Sequence, residues 1–223
     1  KIKSKKNQWT FSNIAEKFEK HIIKSIPFYD EAQDLICLMS QNFLLENKTI
    51  FTEIGTSTGR LARKLSNFHK FKKNLQIEAL DIEKSMIKHA KSLSKKNKNI
   101  NYKVLDITKK KLKKSECIFS YYTMQFIPQK NRQKVVNEIF NRLQWGGGFF
   151  IFEKIRGKNA RFHDYFLEIY NDFKSQNGFT DNEIMNKTRS LRGVMDPFTE
   201  KGNIEMLSRA GFKDISSIFQ WYV

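Results

Sequence analysis

Three acidic residues each close an apolar or β-branched run. Glu53 follows Thr49-Ile50-Phe51-Thr52, Asp81 follows Gln76 to Leu80, and Asp106 follows Asn101 to Leu105. An ionised carboxylate only accepts hydrogen bonds, so one placed at the end of a second strand can take both hydroxyls of a ribose. Asp106 can accept from an adenine amino group, with Ile82 and Ile107 on the two faces of the ring. Singly, such a carboxylate is more often a helix cap or a loop ion pair. Three in register behind successive strands point instead to a nucleoside site. The first of them opens the turn Glu53-Ile54-Gly55-Thr56-Ser57-Thr58-Gly59. Its spacing, E-x-G-x-x-x-G, is neither the dinucleotide G-x-G-x-x-G nor a P-loop. Gly55, Thr56 and Ser57 leave room there for an amino-acid-like tail. Taken alone, a glycine turn of this kind serves packing as often as binding.

Positioning these residues requires strands that alternate with helices. Apolar runs predict strands over 49–54, 76–81, 101–105, 116–121 and 149–153, the last entered through a Gly146-Gly147-Gly148 turn. Helical spacing predicts intervening helices over 58–67, 84–93 and 131–143. Repeated β–α units mean a doubly wound, mostly parallel α/β sheet that binds ligands at the carboxyl ends of its strands. Two helices precede the first strand, from Phe11 to about Phe28 with Ser12 or Asn13 as cap, and from Asp30 to Leu44. They are expected to cover the ligand end. Residues 1–8 read as a basic arm. Between Ile155 and Asp196 the alternation stops in a helical insertion, whose stripe of Phe162, Tyr165, Phe166, Ile169, Tyr170 and Phe173 is expected to pack in a core. A helix over 199–209, capped by Gly211, leads into an expected sixth strand from Phe212 to Tyr222. The pattern breaks off within that strand, so a further C-terminal strand is expected, and the first residue, Lys1, suggests a trimmed start.

At 223 residues the chain accommodates one α/β domain with a small cap, and 20 Phe supply a core. No apolar run approaches the length of a membrane span and no secretory signal is present, so a cytoplasmic protein without a membrane partner is expected. Cys37 and Cys117 lack metal-ligand spacing and read as buried thiols, with no metal site. The net charge of +18 invites a nucleic acid, yet it is mostly Lys scattered among Asn, a pattern that codon bias also produces.

The E-x-G-x-x-x-G turn, Asp81, Asp106 and the glycine turn into strand five resemble class I S-adenosylmethionine-dependent methyltransferases. More specific segments are Ser25-Ile26-Pro27-Phe28-Tyr29, Tyr122-Thr123-Met124-Gln125-Phe126, Ile151-Phe152-Glu153-Lys154, Asp172-Phe173-Lys174 with Asn177-Gly178, and Glu183-Ile184. These resemble the carboxy-S-adenosyl-L-methionine synthase family over nearly the whole chain. The resemblance implies one methyltransferase-like domain over 1–223, with N-terminal helices over 1–45 and an insertion over 155–196. It implies S-adenosylmethionine and its carboxylated form as cofactors, prephenate as carboxyl donor and phenylpyruvate as product. It further implies a homodimer and a functional link to a tRNA carboxymethyltransferase that modifies a wobble uridine.

Carried over by position, the cofactor-binding residues are Tyr29, Glu53, Gly55, Thr56, Ser57, Asp81, Ile82, Asp106, Ile107 and Tyr121. Tyr121 stands where the family usually has Asn. The family's carboxylate-binding Arg falls on Thr188 without a gap and on Arg189 with a one-residue shift. An Arg suits that role, because a planar guanidinium pairs bidentately with a carboxylate. No side chain stands out as a base. Two other readings stay open: a conventional methyltransferase acting on tRNA through direct contact, and a cofactor-binding protein without turnover.

Overall fold

The computed structural model describes residues 15–221. Its strands are β1 (Thr49–Ile54), β2 (Leu75–Asp81), β3 (Ile100–Val104), β4 (Ser115–Tyr121) and β5 (Leu143–Phe152). They form one parallel sheet in the order β3-β2-β1-β4-β5. β1 lies at the centre because it is apolar on both faces: Phe51 and Ile54 are buried on opposite sides. The chain steps from β1 to β2 on one side and returns to β4 on the other. That reversal opens a crevice at the carboxyl ends of β1 and β4.

Helices cover both faces. On one lie α2 (Tyr29–Ser40), α3 (Arg60–Phe68) and α4 (Lys84–Leu93), with Ile36, Leu61, Leu65, Ile87 and Ala90 packed against Phe51, Ile77 and Phe119. On the other lie α5 (Gln129–Arg142) and α8 (Glu200–Ala210), with Val135, Val136, Ile139 and Leu207 against Ile54, Leu80 and Ile118. These apolar residues recur at three- and four-residue spacing, which turns one stripe of each helix to the sheet. Among the described residues, α1 runs from Ala15 to Ser25. The part of that expected helix before Ala15, its cap at Ser12 or Asn13 and the basic arm lie outside the described residues. Both cysteines are buried, as expected.

Three expectations are corrected. Strand five does not start after the glycines; it begins at Leu143, directly after α5, and carries Gly146 to Gly148 through an irregularity in its pairing with β4. Only glycine can present a backbone that Phe43 approaches so closely at Gly148, where an added Cβ would lie 2.5 Å from the ring. Residues 212–221 form no sixth strand. Their apolar positions Phe212, Ile215 and Ile218 recur every third residue, so no single sheet face collects them. Phe219 instead meets Phe28 at 5.8 Å and Trp221 meets Phe173 at 5.6 Å. Tyr222, the end of that expected strand, lies outside the described residues. Finally, the insertion is helical, as α6 (Ala160–Gln176) and α7 (Asp181–Ser190), but α6 buries none of its residues, and Phe162 and Tyr165 are half exposed. Its stripe is not core.

Candidate active site

A cavity of about 2270 Å³ opens at the carboxyl ends of the strands. That exceeds the volume of roughly 300–1,000 Å³ that one drug-sized ligand occupies, so a cofactor and a second substrate fit together. Its floor is the glycine turn. Gly55 and Gly59 hold φ of 71° and 76°, and a Cβ would lie 2.1 Å from the Thr123 hydroxyl oxygen and 2.3 Å from the Tyr102 hydroxyl oxygen respectively. The E-x-G-x-x-x-G spacing is therefore set by two close approaches, one to the loop after β4 and one to a side chain of β3.

The N-terminal helices hold this turn from above, as expected. Glu19 of α1 accepts from the Thr58 hydroxyl at 2.7 Å and pairs with Arg63 at 2.7 Å and Arg60 at 3.2 Å. Asp30 of α2 takes Arg60 at 2.8 Å. Phe18, His21, Ile22 and Ser25 of α1 also line the cavity.

The three acidic strand ends arrive at one edge, each in a different state. Glu53 is buried and accepts from the Thr56 hydroxyl at 2.6 Å; burial pushes its carboxyl up to about 8. Asp81 accepts from the Ser57 N–H at 2.7 Å and the Glu83 N–H at 2.8 Å, one on each oxygen. Each oxygen keeps a second acceptor site, and burial raises this carboxyl too. Asp106 caps its own turn, accepting from the Thr108 N–H and hydroxyl, which hold its carboxyl below the usual range. Lys109 pairs with its other oxygen at 3.1 Å. Ile82 is exposed at the rim and Ile107 half-buried beside it, both lining the cavity.

Beyond the turn stands a wall of tyrosines. Tyr29 and Tyr121 lie 5.0 Å apart between ring centres, Tyr121 and Tyr122 4.9 Å, and the Tyr121 hydroxyl donates to the Tyr29 carbonyl at 2.5 Å. Burial raises all three phenols, so they are neutral π faces and not bases. Tyr121 thus ties β4 to α2.

Thr188 lines the cavity and Arg189 does not. On α7 the buried Ile184 sets the inward face, and Thr188, four residues on, shares it, its hydroxyl donating to the Ile184 carbonyl at 2.9 Å. Arg189 lies a further 100° around the helix and is exposed. The one-residue shift that would bring an arginine inward is thereby a rotation outward. Arg192, past the end of α7, does line the cavity.

Sequence reasoning missed several lining residues. Gln33 of α2 is 1% exposed, borders the cavity, and neither polar atom of its amide has a partner among the described residues. Such an amide is rare in a native structure and fits a site made to receive polar ligand groups. Lys154, Lys174 and Lys187 also line the cavity. Lys154 Nζ lies 4.5 Å and Lys174 Nζ 4.1 Å from the centre of the Tyr170 ring, and Lys187 Nζ lies 3.0 Å from Nε2 of His21. Lys154 and Lys174 fall in segments that carry the family resemblance, but in a chain this rich in lysine neither their type nor their spacing gave them a role.

Known proteins resemble this chain in sequence and in fold. A carboxy-S-adenosyl-L-methionine synthase of Staphylococcus epidermidis is 35% identical to this chain over 217 residues, which cover 96% of the chain and 93% of that protein. A protein of the same name from Nautilia profundicola is 33% identical over 209 residues, covering 93% and 88%. The chain belongs to the carboxy-S-adenosyl-L-methionine synthase family. The family is one of enzymes, and a methyltransferase-domain model matches residues 51–147 of this member, from β1 into β5. The crystal structure of the YcgJ protein from Bacillus subtilis superposes with a TM-score of 0.59 over 81% of this chain and 68% of that one, at 15% identity. That likeness supports the same Rossmann-like methyltransferase architecture.

Proposed function

We propose that this protein carboxylates S-adenosylmethionine, with prephenate as the donor, giving carboxy-S-adenosyl-L-methionine, phenylpyruvate and water. The observation that carries the reading is identity of 35% across almost the whole chain to a protein with that activity in its name. The cavity's size, large enough for two ligands, favours it.

Asp81 would take the ribose hydroxyls on the acceptor sites left open by its two backbone donors. Ile82 and Ile107 would flank the base, with Asp106 held by Thr108 at its edge. Gly55, Thr56 and Ser57 would border the amino-acid tail, and Gln33 would supply an amide to a polar group of the ligands. The cofactor, when bound, supplies a sulfonium whose methyl carbon is the carboxyl acceptor. Tyr29, Tyr121 and Tyr122 present neutral π faces suited to that cation and exclude water from it. Glu53 lies beneath the turn, shielded from water, and keeps Thr56 in place.

The product would serve a tRNA carboxymethyltransferase acting on a wobble uridine, and the protein would work as a homodimer in the cytoplasm. Incubating purified protein with S-adenosylmethionine and prephenate should yield a cofactor heavier by one CO2 in liquid chromatography–mass spectrometry. Methyl transfer to tRNA with no such species would replace this reading with a conventional methyltransferase. The native mass of the purified protein checks the dimer.

A further inference from the structure

Both ends of the cavity carry both signs: Glu53, Asp81, Glu83 and Asp106 stand with Arg60 and Lys109 at the turn end, and Lys154, Lys174, Lys187, Arg156 and Arg192 with Glu153, Glu183, Asp196 and Glu200 at the α6–α7 end. From these lysines we infer that Lys154 and Lys174, against the Tyr170 ring, with Lys187 beside His21, form the seat for the carboxylates of the second substrate, a small dicarboxylate with an unsaturated ring. This rests on the two-ligand reading above and deepens it.

The three lysines come from three separate elements: the loop after β5, α6 and α7. Two of the ammonium groups lie against one tyrosine ring, at 4.5 Å and 4.1 Å. No ion pair is recorded for Lys154 or Lys174 among the described residues, although exposed lysines elsewhere, such as Lys103 and Lys113, find Glu78. Gathering like charges in a part-buried place is unfavourable unless an opposite charge joins them. Burial, and after it a cationic neighbour, lowers each of the three to about 8: Arg156 for Lys154, Lys154 for Lys174, and Lys174 for Lys187.

The seat is also fixed in advance. Gln125, 5% exposed, accepts the Lys154 backbone N–H on its side-chain oxygen at 2.8 Å. The Tyr170 ring holds both ammonium groups without neutralising them, as a carboxylate would. A cofactor tail bears one carboxylate, which a single cation satisfies. Three amino groups from three elements match a ligand with two carboxylates set apart on a ring, and the ring has Tyr170 and Tyr122 to lie beside. A phosphate oligomer such as RNA is disfavoured, because the amino groups line the interior and are at most half exposed.

The test measures binding apart from turnover. Prephenate is titrated calorimetrically into wild type, Lys174→Met, Lys154→Met and the exposed-lysine control Lys110→Met, each preloaded with S-adenosylhomocysteine, which lacks the methyl carbon that accepts the carboxyl group. In parallel, trace reductive methylation with peptide mass spectrometry reads each lysine's reactivity with and without prephenate or inorganic phosphate. We expect Lys174→Met and Lys154→Met to weaken prephenate about 10- to 100-fold, as loss of one charge-assisted hydrogen bond does, with S-adenosylmethionine affinity within about twofold. Prephenate, and not phosphate, should protect Lys154 and Lys174 from methylation. Unchanged prephenate affinity in both variants, or no protection, overturns the seat even if carboxylated cofactor forms. Protection by phosphate alone overturns the dicarboxylate assignment. Protection by prephenate with no carboxylated product leaves the seat standing and removes the carboxyl-transfer reading.

Discussion

Burial gives the lysines of the cavity a proton affinity within reach of ordinary buffers. With Lys154, Lys174 and Lys187 lowered to about 8, each ammonium is lost as the pH rises through that value. The groups facing them do not reverse the trend. Tyr170 is pushed up to about 12 and His21, lowered to about 4, is neutral throughout; Glu183 is the acidic neighbour of Lys187 on α7, and Glu153, pushed up to about 8 by burial, is the acidic neighbour of Lys154 and gains negative charge over the same interval. A dicarboxylate bound to ammonium groups should therefore hold a constant affinity from about pH 6 to 7 and weaken above about 8, by up to tenfold per pH unit for each proton that binding requires. Calorimetry of prephenate across that range, in buffers of different ionisation heat, measures both the affinity and the proton uptake. A flat profile to pH 9.5 would remove the lysines from the binding step.

At the scale of elements, the glycine turn joins β1 to α3 by contacts that admit no side chain. Gly59→Ala forces a left-handed backbone on a residue with Cβ and drives that atom to 2.3 Å from the Tyr102 hydroxyl oxygen. The cost is on the order of 2 kcal/mol, a fall in Tm of roughly 4–8 °C for a chain of this size. Thermal unfolding of Gly59→Ala with and without Tyr102→Ala separates the two causes, since removing the ring, whose carbons would lie 2.7 Å and 2.8 Å from the new Cβ, relieves the clash and not the backbone strain. Elements of this kind were legible in the sequence. β1, β2, β4 and α4 follow from apolar runs and helical spacing, and Asp81 and Asp106 from their places at strand ends. What escaped was whatever depends on distant partners. The aromatic stripe of α6 has helical spacing whether it faces a core or solvent. Residues 212–221 are apolar enough for a strand but spaced for none. Thr188 and Arg189 are adjacent in sequence and lie on different sides of α7, a distinction fixed by Ile184 packing against the rest of the protein. Gln33 gave no signal at all, since its isolation is a property of its neighbours.

At the scale of the whole molecule, a parallel sheet whose strand order reverses beside β1 gives one crevice, and the insertion supplies its far wall. The sheet side brings carboxylates because strand ends meet ribose-like hydroxyls. The insertion brings ammonium groups. The lysine cluster by α6 and α7 has a kinetic consequence as well as a thermodynamic one. A dianion approaching a molecule of net charge +18 is drawn in and then turned by the internal field towards α6 and α7 before any contact forms. Its association rate should fall steeply between about 0.01 M and 0.15 M salt, where the screening length shrinks from about 30 Å to about 8 Å. The rate for S-adenosylmethionine, which is not an anion, should fall little or rise over the same interval. Stopped-flow traces for the two ligands would read that difference directly, and equal salt slopes would mean that the chamber sorts nothing. On these terms the two ends of the cavity act as an address, sending each reactant to its own side before chemistry begins.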